Sequence, residues 1–124
     1  MSLIKGHRYS WSRILEETGA DGSAPSYLLH AGDRIVGACL TLELNPDAPK
    51  IILAGNGHEV ARYADLFCAQ QPRIPVCVKS DGWLCCGNFK LTRASTDPAE
   101  LREHSAKAKR EDLYKILFLE EVST

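Results

Sequence analysis

The chain has 124 residues, 44% of them hydrophobic and 25% charged, with a formal net charge of −1 at pH 7. This is the make-up of one α+β-sized globular domain and excludes a disordered or collagen-like chain. The near-zero charge excludes a global basic field, so any contact with nucleic acid requires a local basic face.

The opening GHRYSWSRILEETG offers Ser10 or Ser12 as a helix cap, Trp11, Ile14 and Leu15 at helical spacing, and Gly19 as a stop. The loop-forming stretch ADGSAPS precedes YLLH, the turn AGDR and IVGACLTLEL, which read as a two-stranded hairpin. Its small residues Gly37, Ala38 and Cys39 predict a bulge or a close approach. After the turn NPDAP, KIILA reads as a short buried strand. A helix follows from Asn56, which would cap it with Glu59 returning the bond as in a capping box, and Gln71 and Pro72 end it. IPVCV is a strand, Asp81-Gly82 a tight hairpin turn, and WLCCGNFKLTRA the return strand. Alternation there places Trp83, Cys85, Gly87 and Phe89 on one face, with Gly87 a candidate bulge. Asp97, Pro98 and Glu100 start a third helix, whose polar continuation SAKAKRED is expected to fray before a last strand, LYKILFL. The order predicts a single α+β domain over residues 1–124, with a mixed, partly closed sheet and three helices.

The cysteine number, five, is odd, Cys85 and Cys86 are adjacent, and MSLIKGHRYSWS has no apolar signal core. Together these point to a reducing cytoplasm. Apolar runs such as IVGACLTL fall well short of the roughly 20 residues that span a bilayer, so no membrane partner is expected. Zinc requires separated cysteine pairs that this chain lacks, and neither metal nor cofactor is expected. Buried, inert thiols are the commoner state, while His7, His30, His58 or His104 beside a cysteine would make a nucleophile pair.

Gly55-Asn56-Gly57 admits two readings. Free N–H groups and the dipole at a helix start favour an anion, which flanking glycines would admit to the backbone. Alternatively, the glycines only make a sharp strand-to-helix turn. No P-loop lysine and no third glycine of a dinucleotide fingerprint follows, which argues against nucleotide hydrolysis. His58 falls in the first turn, with Glu59 beside it and Arg62 one turn on. Basic residues gather toward the C-terminal third, including Arg93, Lys107, Lys109 and Arg110.

Two segments, IKGHRYSWSRILEETG and IPVCVKSDGWLCCGNFKL, resemble the entry and the late strand-turn-strand of SRA-type modified-DNA reading domains and their relatives beside bacterial HNH nucleases. The matching positions are Gly6, Tyr9, Ile14, Val76, Val78, Trp83, Gly87 and Phe89, under a third of the chain. Where that family carries a Tyr-Thr-Gly segment that builds a flipped-base pocket, this chain has ILAGNG. The resemblance implies a PUA/SRA-like barrel, contact with nucleic acid and a bacterial or phage defence context.

The leading expectation is a small nucleic-acid-binding domain, of which a modified-DNA reader is one form, with binding favoured over catalysis. Arg93, Lys107, Lys109 and Arg110 would contact phosphates, Trp83 or Tyr27 would stack on a base, and Gly55, Asn56 and Gly57 would form an anion seat. A second is a hydrolase or transferase acting on an anionic metabolite, with His58 as acid or base and Arg62 as charge stabiliser. A third is an interaction module that forms a homodimer through a strand edge.

Overall fold

A computed structural model of the chain describes residues 3–21 and 27–122, so most of the loop expected before Tyr27 lies outside the described residues. Strand β1 (Arg8–Tyr9) leads into helix α1 (Trp11–Thr18). Ser10 caps α1 by accepting from the Arg13 amide at 3.2 Å, and Gly19 ends it in the left-handed conformation. The hairpin is β2 (Leu28–Ala31) and β3 (Arg34–Leu40), with a register shift where Gly37 approaches Leu29 and the Pro75 carbonyl. Both sequence expectations for the small residues are therefore met at once. Strand β3 ends four residues earlier than the alternation in LTLEL suggested. Its pairing stops at Leu40 opposite Val78, and without a neighbour the backbone turns, leaving Leu42 and Leu44 exposed.

The chain continues through β4 (Ile51–Gly55), helix α2 (His58–Gln70), β5 (Ile74–Lys79), β6 (Trp83–Ser95), helix α3 (Pro98–Ala108) and β7 (Leu113–Val122). Asp81 and Gly82 both take positive φ in the β5–β6 turn, as Asp-Gly predicts. Helix α3 holds through Ala108 rather than fraying, because Ala108 packs against Leu53 and Ile116 beneath it.

The strands form one mixed sheet in the order β2-β3-β5-β6-β7-β4, with β1 added beside β6; only β3 and β5 run parallel. This sheet curls into a half-barrel. Helix α2 explains the curl, since it touches β2 and β3 from one end of the strand order and β7 and β4 from the other. Its buried Ala64 and Phe67 share a core with Leu40, Ile52, Val76 and Leu117, which line the concave face. Residues one position away along the strands point outward. Cys39, Cys77 and Cys85 pack under α1, and Leu53 and Ile116 pack under α3.

Strand β6 departs from strict alternation. Pro75 pairs with Asn88 but Cys77 with Cys85, so β6 carries one residue more than β5 there, and Gly87 takes φ 112°. The bulge moves Phe89 from the face of Trp83 and Cys85, where alternation placed it, into the core around α2. One strand thus serves both layers.

The start of α3 is held by a charged cluster. Asp97 accepts from the Glu100 amide, but Glu100 does not close the expected box. Ser95 Oγ accepts from the Asp97 amide and donates to Glu100 Oε1, while Arg93 grips Glu100 with two bonds of 3.1 and 2.8 Å. Arg93, with help from Ser95, pulls the Glu100 carboxyl from its ordinary 4.5 down to about 2. A carboxylate depressed on folding stabilises fully above its unfolded value and loses that contribution as pH falls through its folded value. The stability advantage over Glu100→Gln should therefore be complete above pH 4.5 and vanish as pH falls to about 2. Urea midpoints of both proteins across this range check it, and an unchanged gap at the acid end would remove Glu100 from the account.

Candidate functional site

The strand-to-helix turn at Gly55-Asn56-Gly57 opens into a cleft of about 400 Å³, the recess that best matches a sequence-predicted site. Tyr27, Leu44, Leu53 and Val60 supply its apolar walls, and Asn45, Asn56, Arg110 and Asp112 its polar groups. Asn56 does not cap α2 as expected. Gly57 takes the cap position with φ −59° and ψ 147°, and no side chain bonds the first-turn amides. The N-terminal N–H groups of α2 thus meet the cleft turn without a side-chain partner, the condition that favours an anion. The Tyr27 hydroxyl donates to the Val60 carbonyl at 2.9 Å, and burial pushes its pKa up, so the phenol stays protonated.

Arg110 forms the rigid side of the cleft. Its Nε and one terminal nitrogen hold both Asp112 oxygens, at 3.0 and 2.9 Å, and its other terminal nitrogen donates to the Leu44 and Leu53 carbonyls, each at 3.0 Å. Asp112 is correspondingly held below its ordinary carboxylate pKa by the guanidinium. The pair lies flat against Gly55. A Cβ there would come within 2.4 Å of Asp112 Oδ2 and 3.1 Å of an Arg110 nitrogen. Gly55 is therefore glycine because an ion pair occupies the side-chain position, a reason distinct from both an anion contact and a sharp turn.

The other predicted residues disperse. Arg93 is paired with Glu100 and lies over Phe118, and Lys107 holds Asp47 through bonds of 2.9 and 2.8 Å. Lys109 ends α3 in the left-handed conformation beside a shallow recess shared with Ser105, Ala106 and Glu111. Of these four cations, Arg93, Lys107 and Arg110 each already hold a carboxylate. Trp83 is 4% exposed, packed near Trp11 under α1 with Lys79 over its ring, which leaves it no face for a base. Tyr27 remains at the cleft.

His58 and Arg62 lie on the outer side of α2, sharing an open surface with Ala61, Asp65 and Leu66. Arg62 is paired with Asp33 and sits over the Tyr63 ring. They do not line the cleft with Gly55, Asn56 and Gly57, so the acid-base arrangement expected around that turn is not assembled there. Sequence reasoning missed Asn45 and Asp112. Asn45 is 2% exposed and accepts from the Leu53 amide at 2.8 Å, closing the outer edge of β4 together with Arg110. The Arg-x-Asp spacing at 110–112 was the available signal for the second.

A Gly55→Ala substitution should destabilise the protein by about 1–3 kcal/mol, since the added methyl must displace a partly buried ion pair. Gly57→Ala, whose Cβ meets only Val60 Cγ2 at 3.9 Å, should cost less, about 0.5–1 kcal/mol, because alanine is a poorer N-cap than glycine. Urea unfolding of the two variants checks the contrast, and equal effects would show that the ion pair yields freely.

Comparison with known proteins finds no match: no family model fits the chain, and no curated protein and no solved structure matches it.

Proposed function

We propose that this domain binds nucleic acid and seats a single nucleotide unit in the cleft at residues 55–57, its phosphate toward the first amides of α2 and its base between the apolar walls. The supporting observation is the joining of two environments in one recess. An uncapped helix N-terminus favours negative charge, while Tyr27, Leu44, Leu53 and Val60 offer the apolar surface that a base requires. Arg110 and Asp112 add a donor-bearing and an acceptor group already fixed in place by the protein, so a ligand would not need to order them. The resemblance to modified-DNA reading domains supports contact with nucleic acid but not the base pocket itself, since ILAGNG replaces the Tyr-Thr-Gly segment that builds it in that family. A reader of modified DNA in a bacterial defence setting is the specific form of this reading.

Because Arg93, Lys107 and Arg110 hold carboxylates, few phosphates would be neutralised on binding. Log affinity should then fall with log salt with a slope of only about 1–2, not the steep slope of a basic surface. The test is fluorescence anisotropy with labelled single- and double-stranded DNA and RNA, carrying plain or modified cytosine, between about 50 and 200 mM salt. Gly57→Asp separates binding from folding. Its carboxylate would cap α2 and preserve or raise stability while occupying the anion seat, so affinity should drop at least about tenfold. No binding of any probe at low salt, or equal binding by Gly57→Asp, would overturn the reading.

A further inference from the structure

Three cysteines far apart in sequence meet in one row across the sheet. Cys39 pairs in register with Cys77 between β3 and β5, and Cys77 pairs with Cys85 between β5 and β6. All three point to the outer face beneath α1, none more than 1% exposed, in a core with Leu3, Ile14, Leu29 and Trp83. The central cysteine therefore has a cysteine directly beside it on each neighbouring strand.

The two pairs differ in geometry. The Cys85 amide donates to the His7 carbonyl and its own carbonyl accepts from the Gly6 amide, both at 2.9 Å. Both backbone groups therefore point away from β5, so Cys77 and Cys85 form a non-hydrogen-bonded antiparallel pair. Such pairs bring their Cα atoms to about 4.5 Å and their side chains closest, within the separation that a disulfide spans. Among the described residues no group of three or more His, Cys, Asp or Glu side chains is placed to hold a metal ion, so the row offers redox rather than metal chemistry.

We propose that Cys77 and Cys85 are an oxidisable pair that closes to a disulfide across the β5–β6 hairpin when exposed to a small-molecule disulfide such as oxidised glutathione. The thiolate of one cysteine attacks a sulfur of the oxidant, breaking its S–S bond and releasing one glutathione thiolate, which is protonated. The second cysteine, deprotonated to solvent, attacks the protein sulfur of the mixed disulfide, forming the Cys77–Cys85 bond and releasing the second glutathione. Two electrons pass from the two cysteines to the oxidant. Helix α1 and the segment around Leu3 cover both sulfurs, so exchange runs through a small open fraction in rapid equilibrium with the closed form, and its rate scales with that fraction and with the thiolate formed there. Hydrogen bonding within the row and burial hold both thiols above their ordinary pKa, and exchange accordingly quickens as pH rises. The bond would fix the hairpin beside Trp83 and deprive Cys39 of its thiol neighbour's proton.

The experiment uses the full chain, incubated with excess oxidised glutathione at about pH 7 and about pH 8.5, then denatured, alkylated and digested. Cleavage after Lys79, which lies between the two cysteines, separates their peptides unless a disulfide joins them. The expected product has three alkylated cysteines and a Cys77–Cys85 linked peptide that separates on reduction, forming at least about tenfold faster at the higher pH. Cys39→Ala should retain this link. Five alkylated cysteines after prolonged incubation at both pH values would overturn the proposal, as would a dominant bond involving Cys39, Cys68 or Cys86.

Discussion

One guanidinium ties together the parts of the molecule that make the cleft. Arg110 binds a carbonyl from the turn after β3, a carbonyl from β4 and the carboxylate of Asp112 just before β7. Three chain segments that share no hydrophobic periodicity are thereby fixed relative to one another. Its side chain is only 13% exposed, so removing it would leave a carboxylate and two carbonyls short of a donor in partly buried surroundings. The identity of Gly55 follows from the same group, as does the rigid wall that the proposed ligand meets. A residue that reads in sequence as one more member of a basic run is the joint on which the site depends.

Much of the fold was legible because its local signals agree with its long-range packing. Ser10 and Gly19 bound α1, Asp97 and Pro98 start α3, and Asp81-Gly82 turns the β5–β6 hairpin where their chemistry says they should. The mixed, partly closed sheet and its three helices were likewise implied by the order of apolar runs. Errors came where a residue's partner lay outside its own segment. Strand β3 looked longer because LTLEL alternates, but a strand also requires a neighbour, and β5 ends. Phe89 changed faces because a bulge inserts a residue, which pattern alone locates only as a suspicious glycine.

The site was less legible for a related reason. Asn56 and Glu59 have the spacing of a capping box, yet the helix begins one residue later on Gly57, which makes the amides available rather than satisfied. Charge was the more misleading signal. Arg93, Lys107 and Arg110 suggest a basic face, and nothing in their immediate sequence shows that Asp47, sixty positions away, takes up Lys107. The thiol row is invisible for the same cause, since only the strand pairing of β3, β5 and β6 aligns its members.

The manner in which β4 ends the sheet has a consequence for the life of the protein in a concentrated solution. An outermost strand with unoccupied backbone groups invites another chain to add itself, which is the first step of domain exchange and of fibrous aggregation. Here the amide and carbonyl of Leu53 are occupied by Asn45 and Arg110, two side chains of the same molecule. The groups that shape the cleft therefore also make this edge a poor template for self-association, so loss of either would expose the chain to aggregation.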